Sequence, residues 1–94
     1  MNYPNVEPRR TKVTLPYMES RVKHVSYAVL PETTTTICVM TMVNGYVVLG
    51  TSACVDPAMF NKALGEQYSY ADAIKQLWPL EGYLLREELS KEVV

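Results

Sequence analysis

Between Val22 and Cys54 the apolar residues alternate with polar or small ones, and after Asp56 they recur at steps of three and four. The first period belongs to half-buried strands and the second to an amphipathic helix. Val22 to Leu30 reads as a strand, with Val25, Tyr27 and Val29 alternating against His24, Ser26 and Ala28. Pro31 stops it, and Glu32 to Thr34 form a loop. Thr35 to Val43 is a second strand, rich in β-branched residues. Asn44-Gly45 follows, and both residues tolerate the positive φ of a type I′ turn, so Tyr46 to Cys54 returns antiparallel. A two-residue turn predicts the pairs Val43 with Tyr46, Thr41 with Val48, Val39 with Gly50 and Ile37 with Ser52. The opposite face then carries Met42, Val47, Met40, Leu49, Cys38 and Thr51. Both faces are apolar, and one helical layer covers only one of them. A second copy of the chain is the simplest cover for the other.

Asp56 is a good N-cap and Pro57 suits the first helical position, so a helix is expected from there. Phe60, Leu64, Gln67, Ala71, Ile74 and Trp78 form its core-facing stripe, widened by Met59, Ala63, Tyr70 and Leu77. Pro79 disfavours helical geometry at Trp78 and predicts a break or kink there. Leu80 to Leu89 is then a second helix, and the chain ends in a helical hairpin. Residues 1–20, with Pro4, Pro8 and Pro16 and no sustained period, read as an extended arm. The expected fold is a single α+β domain spanning residues 1–94: arm over 1–20, small antiparallel sheet over 21–55, two C-terminal helices over 56–90.

Composition narrows the partners. At 94 residues the chain buries a modest core, so its stability needs a supplement. Two cysteines, predicted on opposite sheet faces, make no disulfide framework, and one histidine makes a poor zinc set, so oligomerisation is the supplement that remains. A net charge of -1 argues against a nucleic-acid polymer as partner, despite the basic front end Arg9, Arg10, Lys12, Arg21 and Lys23. No run is long and apolar enough for a membrane span, and no apolar leader precedes the arm, which makes cytoplasm the expected compartment.

Catalytic signals are weak. No glycine loop matches a nucleotide fingerprint, and no CxxC or HExxH occurs. His24, beside Lys23, is an ordinary structural or exposed histidine. Cys38 and Cys54 carry no cue for a lowered pKa and read as inert thiols. Asp72 and Glu81 are the one imaginable acid pair, with no orienting partner. No cofactor and no metal is expected. Binding is better supplied: seven tyrosines, one phenylalanine and one tryptophan offer faces for a base, and arginine is the natural phosphate partner. The everyday roles of these residues are core packing for Phe60 and Tyr70 and surface cover for Arg86.

One set of segments is more specific. Ile37-Cys38-Val39 precedes Asn44-Gly45; Gly50-Thr51-Ser52-Ala53-Cys54-Val55-Asp56-Pro57 leads to Phe60-Asn61; Leu64-Gly65, Tyr70 and Ala73 precede Leu77-Trp78-Pro79-Leu80-Glu81-Gly82-Tyr83-Leu84-Leu85-Arg86. Over a little more than half the chain this resembles a family of small phage and prophage proteins that includes the type 1 anti-Thoeris sponges, related to the anti-CBASS sponges.

The resemblance implies a binder that holds nucleotide immune messengers without cleaving them, in the cytoplasm of an infected bacterium. Its ligands would be cyclic ADP-ribose isomers and cyclic di- and trinucleotides. It further implies a homodimer assembled into a hexamer, a trimer of dimers, with ligand sites between subunits. Carried onto this sequence, Arg86 is the phosphate ligand, Phe60 and Tyr70 contact base or ribose, and Ser69 offers a hydroxyl. Asp72 stands where the family more usually has Asn, which favours ribose hydroxyls or an amine over phosphate. Arg21 and Lys23 would add charge from a neighbouring subunit. Two other readings compete: an inhibitor docking through its apolar sheet face, and a hydrolase of the same messengers recruiting His24, Asp72 or Glu81.

Overall fold

A computed structural model describes residues 10–92. The order is α1 (Leu15–Ser20), β1 (Val22–Val29), β2 (Thr35–Met42), β3 (Val47–Ala53), a 3-10 turn (Pro57–Met59) and α2 (Lys62–Ser90). The three strands form one antiparallel sheet in the order β1-β2-β3, and α2 lies across one face. The architecture is therefore α+β, an antiparallel sheet followed by a C-terminal helix.

The tip of the β2–β3 hairpin differs from expectation. Asn44 keeps a negative φ and only Gly45 turns positive, at 89°. The Met42 N–H donates to Tyr46 O at 2.8 Å and the Gly45 N–H to Met42 O at 2.9 Å. Val43, Asn44 and Gly45 thus make a three-residue loop closed by a glycine in the left-handed region. The Asn44 Oδ1 accepts from the Tyr46 N–H at 3.0 Å, tying the side chain to its own turn. The extra loop residue slips the register by one. Val39 pairs with Leu49, Cys38 with Gly50 and Met40 with Val48. A slip of one exchanges the faces of a strand. Val48 joins Cys38, Met40 and Met42 in the core, while Val47, Leu49 and Thr51 move to the other face with Ile37, Val39 and Thr41.

The new register also overturns the argument that the two cysteines lie on opposite faces. Cys54 follows β3 on the parity of Gly50, so it shares the side of Cys38 but lies four residues along, about 13 Å at strand rise. Both thiols are free.

Gly50 faces α2. A Cβ there would collide with the Ser69 carbonyl oxygen and stand 2.5 Å from Ala73 N and 2.9 Å from Ala73 Cβ. The missing side chain lets the helix backbone rest on the strand. This close approach selects the buried stripe Ser69, Ala73, Leu77, Glu81 and Leu85, spaced by fours, with Ile74 beside it. The expected stripe shares only Ile74 and Leu77 with it, while Leu64 and Trp78 stay 44% and 41% exposed.

Two further expectations fall. Asp56 caps the 3-10 turn, its Oδ1 accepting from Ala58 N–H at 3.0 Å, and the long helix begins only after Asn61, whose Oδ1 accepts from Leu64 N–H at 3.1 Å. Nor is there a helical hairpin. Pro79 lies inside one 29-residue helix. It removes one hydrogen bond, on the exposed side where the freed carbonyl meets water, while the buried stripe runs on to Glu81 and Leu85.

The N-terminal arm is partly helical. Residues 1–9 lie outside the described part, but Thr14 caps α1, accepting from Tyr17 N–H at 3.3 Å, and Pro16 occupies its first turn. Met18 from this turn is fully buried and joins the core of Cys38, Met40, Met42, Val48, Ala73, Ile74 and Leu77. Arg10 continues the attachment: its guanidinium lies 4.0 Å from the Tyr17 ring centroid and 3.4 Å from Glu88 Oε1.

Candidate functional site

Two cavities open where α2 overhangs the ends of the sheet. The first, about 300 Å³, is walled by Phe60 after the 3-10 turn, by Leu64, Gly65 and Tyr68 from the start of α2, and by Ser52 of β3 and Cys54 just beyond it. The second, about 240 Å³, lies at the hairpin end, between Tyr46 and Asn44 of the turn, Arg21 at the start of β1, and Glu81, Tyr83 and Leu84 of α2. They stand apart along the long helix. Roughly 36 Å of axis separates Lys62 from Arg86 at helical rise.

That length sorts the expected ligand residues. Phe60 lines the first cavity and Arg21 the second. Arg86 is exposed on the last third of α2 and lines neither. Within one chain Phe60 and Arg86 cannot hold the same small molecule. Ser69 is fully buried beneath Gly50, its hydroxyl donating to Glu66 O at 3.1 Å, so its side chain is spent on packing.

Asp72 binds the sheet edge. Its Oδ2 accepts from the Thr51 N–H at 2.9 Å, and one helical turn on, Gln76 Nε2 donates to the Leu49 carbonyl at 2.7 Å. The pair covers backbone groups that an edge strand would otherwise leave open. Asp72 and Glu81 sit nine residues apart on one helix, on opposite sides of it and about 13 Å along the axis, so they form no acid pair.

Tyr70 packs against the core and donates its hydroxyl to Glu19 Oε2 at 2.7 Å. Burial, then the Glu19 carboxylate, pushes this phenol up to about 12. Burial likewise raises the Tyr27 phenol and the Cys38 thiol, the latter partly offset by a hydrogen bond with Tyr27. A raised thiol is the opposite of an activated nucleophile. His24 pairs with Thr41 on the sheet face turned away from α2 and lines neither cavity.

Glu81, Tyr46 and Tyr83 are the residues that sequence reasoning did not assign to binding. Glu81 is buried at 4% exposure, and its Oε2 lies 3.4 Å from Arg21 Nε. The period of α2 does carry a signal for it, because Glu81 continues the fours of Ala73 and Leu77. Tyr46 and Tyr83 remain 56% and 72% exposed at the mouth of the second cavity.

Among the described residues no group of three or more His, Cys, Asp or Glu is placed to hold a metal ion, and no helix is long and apolar enough to cross a membrane. Comparison with curated proteins returned no match, and neither did comparison with solved structures. Comparison with protein families did. Residues 13–89, from just before α1 to the last turn of α2, match one family across nearly all the structure described above. The chain belongs to the phage protein (N4 Gp49/phage Sf6 gene 66) family.

Proposed function

We propose that this phage protein is an anti-defence sponge: a homo-oligomer that binds nucleotide immune messengers in the cytoplasm of an infected bacterium and holds them uncleaved. The ligands are cyclic ADP-ribose isomers and cyclic di- or trinucleotides. The observation that supports this most is the second cavity. The run carrying the resemblance to sponges, Leu77 to Arg86, supplies its Glu81, Tyr83 and Leu84, and Arg21 joins them from just before β1. Exposed aromatic faces beside a guanidinium are what a base and its phosphate need.

At about 240 Å³ the cavity falls below the usual range for a site that encloses a small molecule, so one chain supplies part of the site. A second copy supplies the rest, and the uncovered sheet face gives it a reason to be there. Arg86, exposed on the same helix, reaches a ligand held between subunits. Binding alone needs no activated nucleophile, which agrees with a raised Cys38 thiol and a remote His24.

Isothermal titration of the full chain with cyclic ADP-ribose, cyclic di-GMP and cyclic di-AMP tests the proposal. At least one ligand should bind, and Arg86→Ala should weaken it about tenfold or more, as expected for loss of a charge-assisted phosphate contact, with the oligomer mass unchanged. Unchanged affinity removes Arg86 from the site. No binding by any of the three, nor by a cyclic trinucleotide, removes the sponge. The second reading, a protein–protein inhibitor, draws on the open face around Leu49 and Val47, 53% and 48% exposed, and gains if the chain is monomeric.

A further inference from the structure

We infer that the cavity beneath Tyr46 and Tyr83 reads guanine, and that the buried carboxylate of Glu81 is the group that reads it. The inference rests on the nucleotide-binding proposal and specifies its ligand. Glu81 has a side chain only 5% exposed, yet it lines an open cavity. Burying a carboxylate is costly unless its oxygens are matched by donors. Among the described residues Arg21 is its one hydrogen-bonding partner, through Nε at 3.4 Å, longer than a well-formed charge-assisted bond. An ionised carboxylate accepts at about four lone-pair positions on two oxygens, so most of its capacity is unused.

The chemistry of that capacity is selective. A phosphate group at Glu81 would be repelled. A base presenting two adjacent N–H donors is matched by the two oxygens, and guanine does this with N1–H and the exocyclic amine. Adenine sets its amine beside the N1 lone pair, and cytosine sets its amine beside N3, so each offers one bond and one repulsion. Uracil offers one donor between two carbonyls. The remaining walls suit the same occupant: Tyr46 and Tyr83 contribute aromatic rings, and Leu80 and Leu84 contribute apolar surface. At about 240 Å³, below the usual range for a whole small molecule, the cavity suits a single base of a larger ligand. The terminal nitrogens of Arg21, which lines the same cavity, make no hydrogen bond among the described residues and leave donors for the attached phosphate. Of the ligands proposed above, this assigns the guanine-containing cyclic nucleotides to this cavity and leaves cyclic ADP-ribose, whose only base is adenine, to a different site.

Titration of the full chain with cyclic di-GMP, cyclic di-AMP and cyclic ADP-ribose, for wild type and Glu81→Gln, decides the matter. Wild type should bind cyclic di-GMP about tenfold more tightly or better, the effect of one good hydrogen-bonded pair. Glu81→Gln offers one acceptor and one donor, the pattern adenine complements, and should shrink or invert that preference. Equal or tighter binding of cyclic di-AMP by wild type overturns the inference without any variant, so a misfolded Gln protein cannot shelter it. An unchanged preference in a folded Glu81→Gln protein overturns it too. Binding of cyclic ADP-ribose or cyclic di-AMP alone sinks guanine readout and leaves the sponge standing. Binding of none of the three, nor of a cyclic trinucleotide, sinks both.

Discussion

The two faces of one three-stranded sheet meet opposite fates. On the α2 side, Cys38 and Met40 are fully buried and Met42 and Val48 nearly so. On the other side, one residue away along the same strands, Leu49 is 53% and Val47 48% exposed, with Ile37 and Val39 half-buried. The strands are equally apolar in both directions, so composition does not cause the difference. One helix is the cause. A chain of this size has a single long helix to give, and α2 is committed to one face by the contact of its backbone with Gly50. An apolar face left open in this way marks an interaction surface. It is the surface through which the proposed assembly would form, and with it the proposed sites between subunits.

The largest expected effect breaks the open face. Leu49→Lys places a charge at its centre without touching the core, and burying an unpaired charge costs about 3–5 kcal/mol. Light scattering at micromolar concentration should then report monomer where wild type is an oligomer. An oligomer of unchanged mass would move the interface elsewhere.

Next comes the covered face. Gly50→Ala drives a methyl group into helix backbone, which cannot rotate aside, and should lower urea stability by about 3 kcal/mol, the upper end of ordinary overpacking. Gly82→Ala serves as its control on the same helix. Nothing stands within 4 Å of the added carbon, so the exchange should raise stability by about 0.5–1 kcal/mol. Similar midpoints for the two variants would show that the helix does not rest on Gly50.

The smallest effect concerns the rim of the covered face. The Tyr70 phenol is raised to about 12 in the folded state against 10.0 for a free phenol, so folding favours its protonated form. The resulting stability is present in full below pH 10 and is lost as pH climbs toward 12. Tyr70→Phe should flatten the decline of stability across that alkaline window. An equal decline in both proteins would assign it to other groups.

Much of this arrangement was legible in the residues. Alternation located all three strands, Asn44-Gly45 located the hairpin tip, and the change of period after Asp56 located the helical part. What escaped were choices between nearly equal local options. Asn44-Gly45 serves a two-residue or a three-residue loop, and the decision rests on burial of Val48 over Val47 and on Gly50 meeting α2, both of them tertiary. The stripe of α2 misled for the same reason: large residues such as Leu64 and Trp78 look like core, but a helix lying close to a strand needs Ser69 and Ala73 there. Pro79 looked like a terminator because local sterics omit the burial that continues past it. Met18 was hidden in a proline-containing arm whose single helical turn is too short for periodicity to register.

The candidate site was less legible than the fold. Phe60 and Arg21, given ligand roles by resemblance, line different cavities, while the Ser69 side chain is used in packing and Asp72 at the sheet edge. Distances along a helix that was expected to be broken could not be known beforehand. Glu81 was weighed only as an acid, since nothing in one dimension reveals that its carboxylate lies at a cavity beside Arg21.

The central claim is that the protein holds a messenger intact, and a release measurement tests it most directly. Purified protein is incubated with excess cyclic ADP-ribose or a panel of cyclic di- and trinucleotides, freed of unbound ligand, heat-denatured, and its supernatant resolved by chromatography. An intact cyclic nucleotide released in fixed ratio to protein is the predicted result. Linearised product, or nothing retained from any of the mixtures, would contradict it.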